Sequence, residues 1–555
     1  MNRSDTREVG ERLIERLGER GVEYVFSTFG TDHPTLIKQF AEGDSPTAIL
    51  CPHEMIAASA AHGYAQATNT PGVVLVHVDV GTANLVASMH NASRSRIPLF
   101  VLAGRTPRTT DGDIPGSRSI FVHWYQDVAD QHGLVREYTK WEYELEMGAN
   151  VDRAVDRGLD IAAAGSPGPT YLTLPREILR KKAPHARELP STESPTTTID
   201  ERTRRSLADH LREAEHPLLI TSYAGRDETA VSTLCEFAET VGVPVVEQAP
   251  AFDLNFPRDH PLHYGFAAEP HLDEADLILV VNCDVPWVPK RNQPRPDATV
   301  VHIDTDPEKP MYPMCDFPAD VRVRADARSV LADLTAEFDA ADASARVDRF
   351  RECGARLHEE RRRSVPDPDD VDRITPDLLS STLGEVIDDD AIIVDETVTN
   401  TVSVLQHCLR SEPGTYYSYC SSGLGWGLGA SLGVSLARPD STVVGLIGDG
   451  SFVLGNPLAA VQVATAYDLA HLTVIYHNEG WRAVSDAIAD QYEEVSFDPS
   501  AFTRFDPGTD YAAFAESVGC HGESVSDPQQ LRAATERALD AVESGTHAIL
   551  DVTVC

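Results

Sequence analysis

The chain has 555 residues, 42% of them hydrophobic, enough for several globular cores and too many for a disordered segment. Its 87 acidic residues against 47 basic ones give a formal net charge of −40, which argues against nucleic acid or an anionic membrane as a partner. The acidic excess is spread along the whole chain rather than gathered in a tail, the composition of a protein adapted to high salt.

The first stretch, "MNRSDTREVGERLIERLGERG", lacks the apolar centre of a signal peptide. Val9, Leu13, Ile14 and Leu17 fall at helical spacing, so an amphipathic helix is expected there. No apolar run approaches the ~18 residues of a membrane span. The nine cysteines are scattered without a CxxC pair, as expected of reduced thiols in a cytoplasmic protein.

Apolar strand-like runs then alternate with helical stretches, the pattern of helices layered on parallel sheets. In a first unit, residues 1–182, the runs are 22–30, 47–54, 72–81, 98–106 and 169–175, with the helical "EMIAASAAHGYAQAT" among them. Residues 183–200, "APHARELPSTESPTTTID", are rich in Pro, Ser and Thr and read as a linker. A second unit, 201–340, carries runs at 217–225, 243–250, 275–284 and 298–307. Residues 341–374 read as a charged helix running into a Pro/Asp-rich connector, and a third unit spans 375–555, with strand-like runs at 391–397 and 548–554. The expected architecture is three doubly wound α/β domains, each on a parallel sheet.

In the third unit "STVVGLIGDGS" reads as a buried strand entering a glycine turn, and "HLTVIYHNEG" as the next strand. Loops at the carboxyl ends of parallel strands line the ligand crevice of such sheets. Asp449 and Asn478 would both sit there. With a backbone carbonyl they make a hard oxygen set of the kind Mg²⁺ prefers, completed by phosphate oxygens and water. A GDG alone reads equally well as a turn whose Asp caps a helix. The Asn-x-Gly at the neighbouring strand end favours a metal–diphosphate anchor.

Gly448-Asp449-Gly450 followed by "HNEG" resembles the signature of thiamine diphosphate enzymes. The resemblance implies Asp449, Asn478 and the carbonyl of Gly480 as Mg²⁺ ligands, with Gly450 and Ser451 near the diphosphate and Gly448 completing the turn. His477 stands where the first Asn of the family's usual pair would be. Such enzymes also need a carboxylate beside the cofactor's pyrimidine ring. "AILCPHEMIAASAAHGYAQATNTPGVVLV" is similar to the corresponding segment of acetolactate synthases and benzoylformate decarboxylases, which maps Glu54 onto their catalytic glutamate. Leu424, in "SSGLGWG", matches the bulky residue that holds the cofactor bent, and "VDETVTN" offers Thr397 and Thr399 as diphosphate contacts. By the same resemblance the first unit is the pyrimidine-binding domain, the second a nucleotide-fold domain and the third the diphosphate domain.

On the substrate side, His77 lies where benzoylformate decarboxylases have an active-site histidine, and Thr31 occupies the position of their serine. Gln126, in "HWYQDVADQ", resembles a glutamine of acetolactate synthases. The central unit shows no dinucleotide diphosphate fingerprint, which argues against FAD and against a nicotinamide dehydrogenase. The expected activity is thiamine diphosphate- and Mg²⁺-dependent decarboxylation of a 2-oxo acid such as pyruvate, followed by ligation as in acetolactate synthases. Simple decarboxylation of benzoylformate type is the alternative, and a catalytically silent cofactor binder a third. The resemblance also implies a homodimer or homotetramer whose sites lie between subunits. Oligomer size and a regulatory subunit stay open at this stage.

Overall fold

The computed structural model describes residues 7–183, 197–420, 422–492, 497–505 and 509–555. Most of the expected linker, 184–196, lies outside the described residues. Three sheets are present, and every strand pair in them is parallel. The first contains β1 (Tyr24–Ser27), β2 (Thr47–Leu50), β3 (Gly72–Val76), β4 (Leu99–Arg105), β5 (Trp141–Glu144) and β6 (Thr170–Pro175), in the order β2-β1-β3-β4-β6-β5. The second contains β7 (Pro217–Thr221), β8 (Val245–Glu247), β9 (Leu277–Val281), β10 (Thr299–Asp304) and β11 (Val321–Arg324), ordered β11-β10-β9-β7-β8. The third contains β12 (Ile392–Glu396), β13 (Tyr416–Tyr417), β14 (Val443–Gly448), β15 (Leu472–His477), β16 (His521–Val525) and β17 (Ala548–Thr553), ordered β13-β12-β14-β15-β17-β16. The interior strands are apolar throughout because helices cover both faces of each sheet.

The first and third sheets are tied together through two helices rather than through a loop. Helix Glu54–Thr68 crosses helix Trp426–Ala437, and both are built from small residues. A Cβ added at Gly433 would lie 1.9 Å from the Ala60 carbonyl oxygen, and one at Gly63 would lie 2.3 Å from that of Ala430. The two backbones therefore touch, and side chains of both domains share one apolar core, with Ile56, Ala60 and Val76 beside Leu428, Ile447 and Phe452.

Gly433→Ala is expected to destabilise the protein by ~1–3 kcal/mol, the ordinary cost of overpacking a filled core. The gain from alanine's better helix propensity is only about 1 kcal/mol and does not offset backbone atoms in collision. A denaturant midpoint unchanged or raised would show that the crossing helices part without cost.

Candidate active site

In the third sheet, β12, β14 and β15 are neighbours, and their carboxyl ends lie side by side, with Glu396 opposite Ile447 and Gly448 opposite Tyr476. The loops leaving these ends close on a cavity of about 140 Å³. Thr397, Thr399, Leu424, Gly448, Asp449, Gly450, Ser451, Asn478 and Gly480 line it, every residue that the sequence assigned to cofactor and metal binding. Trp481 and Arg482 complete the wall, and the Trp481 ring lies over Gly450, where an added Cβ would come within 2.5 Å of it.

Asp449 is buried, and its carboxylate accepts the backbone N–H of Gly450 at 2.8 Å and of Gly480 at 3.0 Å. Burial pushes its pKa up to about 6, outweighing the two N–H bonds and the nearby His477 imidazole, which act the other way. The Asn478 side-chain oxygen is buried without a hydrogen-bond partner. A buried orphan acceptor beside a desolvated carboxylate is what a divalent cation would satisfy, so these residues fit Mg²⁺. Glu479 between them has φ 63°, a left-handed turn that brings Asn478 and Gly480 onto the same cavity. His477 instead turns towards β17, where Nδ1 lies 2.9 Å from Asp551, whose charge raises the imidazole's pKa.

Leu424 is held from below by a residue that sequence reasoning missed. Glu396, fully buried at the end of β12, accepts N–H bonds from Gly425 at 2.7 Å and Gly427 at 2.6 Å and a hydroxyl bond from Tyr419 at 2.9 Å. Burial raises its pKa to about 7 against the effect of these bonds. Gly425 has φ 98°, and a side chain there would strike Gly455, so the glycine makes the turn that presents Leu424. From the first domain, Asn91 donates to the Gly423 carbonyl at 2.7 Å and accepts its N–H at 3.2 Å. The Thr397 hydroxyl is already committed to Asp395, at 2.7 Å, whereas Thr399 is exposed.

The four residues proposed for chemistry belong to the first sheet, whose strands β2, β1, β3 and β4 are neighbours. Glu54 opens its helix three residues beyond Cys51, and His53 caps that helix by accepting the Met55 N–H at 3.1 Å. The Asn84 amide donates to Glu54 at 3.0 Å. Gly81 lies between Glu54 and His77, its added Cβ falling 3.3 Å from one and 3.4 Å from the other. The segment "DVGTAN" therefore forms the seat of Glu54. His77 follows β3 directly, with Gln126 close enough to influence its imidazole. Thr31 does not join this group: it is exposed, and only its carbonyl is engaged, by Arg176 at 3.4 Å. Its neighbour Asp32 contacts His77 instead.

At the carboxyl ends of β7, β9 and β10 the central crevice is filled by the chain's own charges. Asp284 meets Arg96 at 2.9 Å and Lys309 at 2.8 Å, and Asp304 accepts the Tyr223 hydroxyl at 2.6 Å and pairs with Lys309. All five groups are buried. The acid at the end of β10, Asp304, is thus neutralised internally.

Parallel three-layer domains with an oxygen-lined cavity at adjoining strand ends and a separate buried glutamate define a cofactor-dependent enzyme of the α/β type. Residues 7–134, 205–334 and 397–552 match, in turn, the N-terminal TPP-binding, central and C-terminal TPP-binding domains of the thiamine pyrophosphate enzymes, and the chain belongs to that family. It is 26% identical over 563 residues to the acetolactate synthase isozyme 3 large subunit of Escherichia coli K12, covering 98% of this chain and 94% of the relative. Benzoylformate decarboxylase of Pseudomonas aeruginosa is 26% identical over 548 residues, with 95% and 96% covered. The thiamine diphosphate-dependent 4-hydroxybenzoylformate decarboxylase of Rhodococcus jostii RHA1 superposes with a TM-score of 0.81 at 25% identity over 99% of both chains. No helix among the described residues is long and apolar enough to cross a membrane.

Proposed function

We propose that the protein is a thiamine diphosphate- and Mg²⁺-dependent enzyme that removes CO₂ from a 2-oxo acid. The carrying observation is the single cavity that gathers Asp449, Asn478, Gly480, Ser451 and Leu424, with an orphaned amide oxygen at the proposed metal position. When bound, thiamine diphosphate supplies the nucleophilic carbon and electron sink for loss of CO₂. Asp449, Asn478 and the Gly480 carbonyl would hold Mg²⁺, Gly450 and Ser451 would meet the diphosphate, and Leu424 would keep the two rings bent. The Glu54 carboxyl would exchange a proton with the pyrimidine ring, and the Asn84 amide holds it in place for that while Gly81 leaves it room.

After CO₂ leaves, either a proton or a second carbonyl takes its place. His77, partly exposed and hydrogen-bonded by a buried carboxylate, is equipped to deliver that proton. This favours simple decarboxylation over ligation, reversing the order the sequence suggested. Ligation of acetolactate synthase type is the second reading, supported by the resemblance of the loop around Gln126.

Among the described residues none from the first domain lines the Asp449 cavity, which supports a site shared with a second copy of the chain. Exposed apolar side chains flank both halves: Phe121, Trp124 and Tyr125 near Gln126, and Val398, Leu454 and Val484 near Asp449. The assembly is therefore at least a homodimer. It acts in the cytoplasm, with domains at 1–182, 201–340 and 375–555 and without FAD.

At molar salt, the purified protein is expected to carry thiamine diphosphate detectable by mass spectrometry and to release CO₂ from pyruvate or from an aryl 2-oxo acid. An aldehyde product supports simple decarboxylation and a 2-hydroxyketone or acetohydroxy acid supports ligation. Inertness to both substrate types in the cofactor-loaded protein would overturn the proposal.

A further inference from the structure

Asp32 has the most constrained surroundings of any group near His77. It follows β1, is almost wholly buried, and sits between two imidazoles. Oδ1 hydrogen-bonds with His77 Nδ1, and Oδ2 lies 3.1 Å from His33 Nε2. His33, itself fully buried, accepts the Gly30 N–H on Nδ1 at 3.1 Å, so its own proton resides on Nε2, the atom facing Asp32.

Two glycines make the room. A Cβ at Gly30 would fall 2.1 Å from His77 Nδ1, and one at Gly104, near the end of β4, would fall 1.2 Å from Asp32 Oδ2. Any side chain at position 104 would occupy the carboxylate's space. Loops from β1 and β3 and the backbone of β4, neighbouring strands, thus build one pocket for this carboxylate and its two imidazoles.

We propose that Asp32 is a positioning residue: it receives the Nδ1 proton of His77, leaves Nε2 as the donating atom towards the substrate side, and stabilises the imidazolium, with His33 bracing the far oxygen. The inference rests on the reading of His77 as the proton donor in decarboxylation. Burial disfavours the charged imidazole, but Asp32 and its neighbours together outweigh it, and His77 is raised above its ordinary pKa. Asp79 and Gln126 act in the same direction as Asp32. His123 also faces the pair, its pKa lowered by burial and by the charges of Arg176 and Arg118. Asp32 itself is depressed well below the usual carboxylate range by His33 and His77, in spite of its burial.

The test reads His77 directly, without substrate. Full-length protein at molar salt is exposed to diethyl pyrocarbonate from about pH 5 to about pH 8, and carbethoxylation of His77 is followed by peptide mass spectrometry. The reagent takes only the neutral imidazole. In Asp32→Asn the midpoint for His77 is expected about one unit lower, so that its modification in the range where the wild type is protonated is about tenfold faster. Gly104→Ala keeps Asp32 in the chain but evicts its carboxylate, and should give the same displacement. Where activity is present, the alkaline limb of the kcat profile should move to lower pH in both variants, whereas mere loss of structure would lower the whole profile. Unchanged His77 midpoints in both folded variants would overturn the proposal. If Asp32→Asn does not fold, Gly104→Ala decides alone. Inertness of the wild type to 2-oxo acids would defeat the functional reading yet leave the His77 midpoint as measured.

Discussion

Glu54→Gln should lower turnover by ~10²–10⁴-fold, the span that one positioned acid–base group contributes. The change is nearly isosteric. Glutamine can still offer an oxygen to the Asn84 amide and still opens the helix capped by His53, so the fold and the crossing with helix Trp426–Ala437 should persist. What it loses is a proton that can be exchanged with a bound ring. Cofactor retention in the presence of Mg²⁺ should therefore stay within a few-fold of the wild type, read by equilibrium dialysis. A variant that keeps more than about a tenth of the activity would remove the proton-exchange role.

Asp449→Ala attacks the other end of the cofactor. Removing one partner of a buried charge interaction costs about 2–5 kcal/mol, or ~30- to several-thousand-fold in affinity. The variant should lose thiamine diphosphate on gel filtration even with excess Mg²⁺, as the wild type should when the metal is chelated. In the wild type the pH dependence has a defined sign. With Asp449 raised to about 6 by burial, a proton competes with the metal for the same oxygens, so retention should be full above that value and fall as the pH drops through about 6. Retention by Asp449→Ala equal to that of the wild type would mean that the diphosphate is anchored elsewhere.

Much of the fold was legible because interior strands of parallel sheets are continuous apolar runs, as in "GVVLV" and "LILVV". The four strands left unassigned, β5, β11, β13 and β16, are all at sheet edges. There one side of the strand has no partner, and sequences such as "WEYE", "VRVR" and "HGESV" carry polar side chains that hide the strand signal. The cavity at the ends of β12, β14 and β15 was legible for a different reason: its residues cluster in short motifs at strand ends, so contiguity in the chain stands in for contiguity in space. Asp32 and Glu396 were not. Each is a buried acid whose partners, His77 and the Gly425–Gly427 backbone, come from separate loops, and only folding reveals the pairing. Thr31, expected here by resemblance, lies exposed one residue before Asp32, in a loop that has no period to order its side chains.

Arg96 leaves the first domain, lies over the Tyr223 ring at 5.1 Å and ends on Asp284 in the central one. Ions in solution weaken attraction between charges only where they can approach, and this cluster is closed to them. The many surface carboxylates, by contrast, repel one another more strongly as the medium is diluted. Transfer to fresh water would thus strain the periphery first, while this internal rivet holds the two domains at the same grip in brine and in dilute buffer.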